Sequence, residues 1–209
     1  KLGLASPSSK ILNIGEPFAA AYGVWGALNC RVGWIANTAQ DLPKDVANYF
    51  EKLVVPYFKA VKAWYEHLAI GVEGGLIFKK VMDILNDPFF GVYLNPGHLI
   101  HKDEWMNSPI YANSKEKILS GQAFQMDIIP ATNTNYFSTN LEDGIVILDE
   151  GSREIFKDKY PEAMKSFCPQ FKQEDVKSIH SRINNELDSV QINKLMNKFS
   201  LGQQMKTSI

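Results

Sequence analysis

Cysteine is scarce in this sequence, with Cys30 and Cys168 far apart, without CxxC spacing and without a third partner. That rules against a disulfide framework and makes a reducing cytoplasm the expected location. An excess of one charge is lacking too. The 22 basic and 23 acidic residues are mixed along the chain and leave a net charge of -1. Nucleic-acid binding needs a basic surplus or stripe, so nucleic acid is not an expected partner. No apolar run is long enough to cross a bilayer, and the expectation is a soluble protein with no membrane partner. The chain opens on Lys1 rather than an initiator Met, and Lys1 to Lys10 lacks the apolar stretch of a signal peptide. A processed, a truncated and a proteolysed product all fit that opening. What is present suffices for one sizeable core: 209 residues, 45% of them hydrophobic, which suggests one domain or one domain with an appendage.

Along the chain the apolar period changes several times. Residues 11–35 place Tyr22, Val24, Trp25, Val32 and Trp34 among Gly15, Gly23, Gly26 and Gly33, the pattern of two strands joined by a tight turn. From Pro43 to Leu68 the apolar residues recur at helical spacing, with Pro56 inside the stretch predicting a kink or break. A second helix is expected over Gly74 to Leu85. Residues 87–111 read as loop and short strand. Three strands are then expected at Ala123 to Ile129, Tyr136 to Thr139 and Gly144 to Leu148. Arg153 to Phe167 is helical in pattern, and Gln173 to Phe199 reads as a charged helical pair whose apolar stripe docks on the domain or on a second subunit, so a homodimer is among the expected assemblies. Clustered strands and helices define an α+β class with a mainly antiparallel sheet.

Three short segments gather the polar groups able to bind a metal ion. They are Gly97 to Trp105, holding His98, His101, Asp103 and Glu104; Gly121 to Asp127; and Asn140 to Val146, holding Glu142 and Asp143. An ion that activates water needs several fixed anionic or imidazole donors and one coordination position left open. Strands hold such donors rigidly because alternate side chains share one face. His98, Asp127 and Glu142 are therefore the expected ligands, presented by three neighbouring strands, with His101 near enough to hydrogen-bond a substrate carbonyl or a tetrahedral intermediate. Each residue also has a plain reading. The histidines can be loop residues bonded near a turn, Asp127 a strand-edge acid facing water, and Glu142-Asp143 a hairpin turn feeding Gly144. Asp103 and Glu104 read as a solvated loop or helix start. Arg31 is a candidate anchor for a substrate carboxylate or one half of a structural salt bridge.

The order of these segments resembles the creatinase/Xaa-Pro aminopeptidase family. A Gly-His-Leu-Ile stretch comes first, then an apolar strand ending in an acid near Pro130, then a Glu-Asp pair followed by apolar residues. The resemblance implies a pita-bread fold, a curved and mainly antiparallel sheet flanked by helices, and a dinuclear site using Asp, Asp, His, Glu and Glu in chain order. It matches His98 to the histidine ligand, Asp127 to the first glutamate, Glu142 to the last glutamate and His101 to the second, catalytic histidine. Asp127 departs from the pattern as an aspartate, Pro130 is displaced, and His101 follows His98 more closely than usual. The family's two aspartates have no counterpart: no Asp or Glu occurs between Glu16 and Asp41, and Ala21 with Leu28 or Asn29 occupies the matching positions. The bridging carboxylate of a two-metal centre is thus missing. The resemblance spans roughly residues 10–165 and implies a peptidase-like domain over 1–168, lacking the family's opening segment, followed by a helical extension over 169–209.

Two functions follow. One is a hydrolase of Xaa-Pro dipeptidase or aminopeptidase type, acting on a short peptide or related amide with at most one Mn, Co or Zn ion; creatinase itself works without metal. The other is a catalytically inactive module that binds a peptide or protein partner in the same cleft. A third reading takes the chain as a fragment completed by its other half.

Overall fold

The computed structural model describes residues 8–24, 27–101 and 106–163. The chain divides into two compact units, residues 1–149 and 150–209. The first unit carries a five-stranded sheet in the order β1-β2-β5-β4-β3, in which every pairing is antiparallel. Strands β1 (Pro17–Val24) and β2 (Ala27–Trp34) form the expected hairpin, with Ala21 opposite Cys30. The other strands are β3 (His98–Leu99), β4 (Ala123–Met126) and β5 (Asn140–Val146).

Two helices separate the hairpin from β3. Helix α1 (Val55–His67) continues directly from a π-type turn at Phe50–Val54, and helix α2 (Gly74–Leu85) has the bounds its apolar spacing predicts. Pro56 neither breaks nor ends the helix. It sits in the first turn of α1, where the missing N–H costs little, and the preceding widened turn, in which Val55 N–H donates to Phe50 O, makes room for its ring. Tyr57, Ala60, Val61 and Trp64 of α1 and Ile77, Val81 and Leu85 of α2 are buried. Spacings of three and four residues put each set on one helical stripe, which is the reason the sequence pattern announces these helices.

Alternation along the strands gives the sheet two unlike faces. Leu141, Phe124 and Met126 are buried on the face turned to α1, where the Tyr57 hydroxyl donates to Leu141 O (3.1 Å) and accepts from Leu141 N (2.8 Å). The opposite face carries Ala21, Cys30, Glu142, Gln125 and His98 by register.

The C-terminal strands differ from expectation. Asn140 to Val146 is one continuous strand, so Glu142 and Asp143 lie in a ladder rather than a hairpin turn, while residues 136–139 form turn and loop. Phe137 has φ 65°, and Ser138 Oγ donates to Pro130 O, which commits this stretch to a turn. In the second unit, helix α3 spans Glu150–Lys159. The helical pair expected over 173–199, together with Asp103, Glu104 and Cys168, lies outside the described residues.

Candidate metal centre

The Gly97-His98 pair shows how local chain geometry aims a ligand. Gly97 adopts φ 94°, and a Cβ there would stand 2.8 Å from Gln125 O and 3.1 Å from Trp64 Nε1. Only glycine accepts both the left-handed backbone and the close approach. Gly97 N–H donates to Asp127 O (2.8 Å), Ser108 Oγ donates to Gly97 O (2.8 Å), and Trp64 Nε1 donates to Pro96 O (2.7 Å). These bonds fix the chain on which His98 begins β3, opposite Gln125.

Asp127 directly follows β4, and the bond from Gly97 extends the ladder to it. Because β5 lies between β2 and β4, Glu142 is flanked on one side by Cys30 and on the other by the end of β4. One ligand atom from each of His98, Asp127 and Glu142 lies within 4.8 Å of the others. His98 is 6% exposed and Glu142 6%, and the Asp127 side chain is 13% exposed, so Asp127 is not an acid facing water.

The electrostatics suit a cation. His98 Nδ1 lies 3.0 Å from Leu99 O. A carbonyl only accepts, so Nδ1 carries the proton, which leaves Nε2 as the ring nitrogen that would present a lone pair to a metal. That Nε2 is 4.0 Å from Asp127 Oδ2. Burial raises the Asp127 pKa, against the opposing pull of His98, Asn140 and Glu142. Two carboxylates this close do not both ionise readily without a proton or a cation between them. Asn140 Oδ1 and Gln125 Oε1, both buried, have no hydrogen-bond partner. A divalent cation would meet these requirements, and His98, Asp127 and Glu142 are the residues that would hold it.

The other expected site residues lie elsewhere. His101 is exposed, with Nε2 3.1 Å from Asn107 Nδ2, and is not one of the three clustered groups. Arg31 is opposite Leu141, on the other face of the sheet. It donates to Cys30 O (2.7 Å), Glu142 O (3.1 Å) and Asp143 Oδ1 (2.9 Å), the salt-bridge role that its sequence context also allowed. Cys30 is the residue that sequence reading passed over. The β2–β5 register puts Cys30 directly opposite Glu142. Burial, with Glu142 and Asp127 nearby, pushes its thiol up to about 12. The signal available in the sequence was the strand period: counting back from the hairpin turn places Cys30 on the same face as Ala21.

An α+β unit with an all-antiparallel sheet, helices on one face and a His-Asp-Glu cluster on the other defines a class of fold that can be sought among known proteins. No protein-family model matches the sequence, and no curated protein does. Solved structures of peptidases do match. A dipeptidase from Pyrococcus horikoshii OT3 superposes with a TM-score of 0.51 at 18% identity, covering 70% of this chain and 40% of that one. A prolidase from Thermococcus sibiricus gives 0.51 at 16% identity, over 70% of this chain and 39% of that one. The Xaa-Pro dipeptidase from Bacillus anthracis gives 0.50 at 16% identity, over 68% and 39%. At such identities the likeness is one of fold, and the chain spans about two-fifths of the length of these proteins.

Proposed function

We propose that this chain carries the sheet of a hydrolase related to the creatinase/Xaa-Pro aminopeptidase family, acting on a short peptide or related amide. The observation that carries the reading is the meeting of His98, Asp127 and Glu142 within 4.8 Å on a fold shared with Xaa-Pro dipeptidases. A bound Mn, Co or Zn ion would supply a water of lowered pKa and an electrophile for the scissile carbonyl. The protein's own part is to hold that ion with one imidazole and two carboxylates, and to keep the His98 tautomer fixed through Leu99 O. His101, exposed and three residues beyond His98, is the candidate to meet developing oxyanion charge.

Ala21 and Cys30 support at most one ion. Cys30 stands beside Glu142 and Ala21 beside Cys30, both on the cluster's face, and neither offers the carboxylate that would bridge a pair. The same observation favours the second reading, a catalytically inactive module that binds a peptide or protein partner at this face of the sheet. Metal analysis of the purified chain, with hydrolysis assays on Xaa-Pro dipeptides, separates the two. One ion or less per chain is expected, and His98→Ala should lose both the ion and any hydrolysis. Two tightly bound ions, or hydrolysis unaltered by that substitution, would overturn the assignment. A loaded but inert protein that retains a dipeptide on equilibrium dialysis would favour the binding module.

A further inference from the structure

Asn140 is buried at 5% exposure, and its amide oxygen has no partner. It lies on β5 two residues before Glu142, and so on the same face. The register agrees, since Val32 faces Asn140 as Cys30 faces Glu142. Asn140 Nδ2 is 3.4 Å from Asp127 Oδ1, so the amide lies against a member of the cluster rather than merely near it. Rotating the amide by half a turn exchanges its nitrogen and oxygen without changing its shape, and would turn the unpartnered oxygen toward Asp127. A buried amide oxygen turned toward a carboxylate needs a cation between them. Gln125, which among the described residues also has a buried unpartnered amide oxygen, is different. Its nitrogen donates to Leu28 O, which anchors the side chain across β5 to β2.

We propose that Asn140 is a fourth protein donor to an ion held by His98, Asp127 and Glu142, and that the site is therefore built for an oxygen-rich, six-coordinate cation of the Mn2+ type. The proposal rests on the metal-binding reading above and adds to it both a ligand and a preference. One imidazole nitrogen with three oxygens is a donor set that suits Mn2+ better than a thiophilic ion. Coordination number points the same way. Four protein donors would close a tetrahedral Zn2+ site, whereas a six-coordinate ion keeps two positions for water and substrate.

Titration calorimetry of the metal-stripped full chain with Mn2+ and with Zn2+ tests this, using Asn140→Ala, Asn140→Asp and His98→Ala. Asn140→Ala should weaken Mn2+ binding by about 10-fold or more. The Asp variant decides between ligand and hydrogen-bond donor. As a ligand, a carboxylate at 140 should bind Mn2+ more tightly than the wild type. If Asn140 merely donated to Asp127, the added carboxylate would repel it and weaken binding, which would overturn the proposal. Should the Ala variant fail to fold, the comparison of Asp with wild type still decides. His98→Ala separates this inference from its foundation. Loss of binding there, with Kd unchanged in both Asn140 variants, rejects only the role of Asn140. Wild-type affinity in His98→Ala, or no Mn2+ binding by the wild-type chain, rejects the metal site itself.

Discussion

Asp127 concentrates the electrostatic cost of the site in a single side chain. Burial is the main cause of its raised pKa, which stands above the value of about 3.9 expected in an unfolded chain. Between those two values the folded state binds more protons than the unfolded state. Stability of the metal-free protein should therefore fall as pH rises from about 4 through the folded pKa of Asp127. Thermal unfolding in the presence of a chelator, followed across that range, should show the decline, and Asp127→Asn should flatten it. An identical slope in the variant would assign the effect to another group. Cys30 illustrates a separate lesson at this scale. Its type attracts attention in any sequence, yet its place opposite Glu142 follows only from the pairing of β2 with β5.

Among the elements, the seam between β2 and β5 holds the strand of Glu142 on the side away from β4. Three residue pairs connect these strands, and Arg31 adds bonds to Glu142 O and Asp143 Oδ1. The side chains of this ion pair are 17% and 8% exposed. Arg31→Ala would take the guanidinium away from buried Asp143 and should destabilise the protein by about 3 kcal/mol, the lower end for breaking a buried pair, as read from the urea midpoint at constant slope. Removing the charge from both sides at once, in Arg31→Met with Asp143→Leu, should cost much less. If both variants lost equal stability, the seam would owe its strength to packing. Helices α1 and α2 were legible from spacing alone, because their stripes of three and four residues need no partner to be recognised. Strand β5 was not. Glu142-Asp143-Gly144 has turn composition, and the ladders to β2 and β4, together with the bonds from Tyr57 and Arg31, override that local preference.

For the molecule as a whole, metal binding and folding should be linked. The cluster exists only when β3, β4 and β5 are assembled, so an ion that binds it favours the folded state. One site at a free ion concentration of 100 times its Kd adds about 2.7 kcal/mol. A rise in Tm with added Mn2+, abolished in His98→Ala, is the expected result, and an equal rise in that variant would point to binding elsewhere. The fold shared with peptidases is present over about 70% of the chain, while this chain spans about 40% of the Pyrococcus horikoshii dipeptidase. The metal-linked rise in Tm requires only the strands described.

The sequence by itself determined the α+β composition, the two helices between hairpin and site, and the identities of His98, Asp127 and Glu142. Those properties are local: they depend on apolar spacing, on a glycine before a histidine and on the chemistry of single side chains. Tertiary structure alone decided that Arg31 belongs to the reverse face, that Cys30 and Asn140 join the cluster's face, and that residues 136–139 turn while 140–146 extend. These depend on register, and shifting a strand by one residue moves every side chain to the opposite face of the sheet. Nothing in the composition of a strand says which neighbour it will meet.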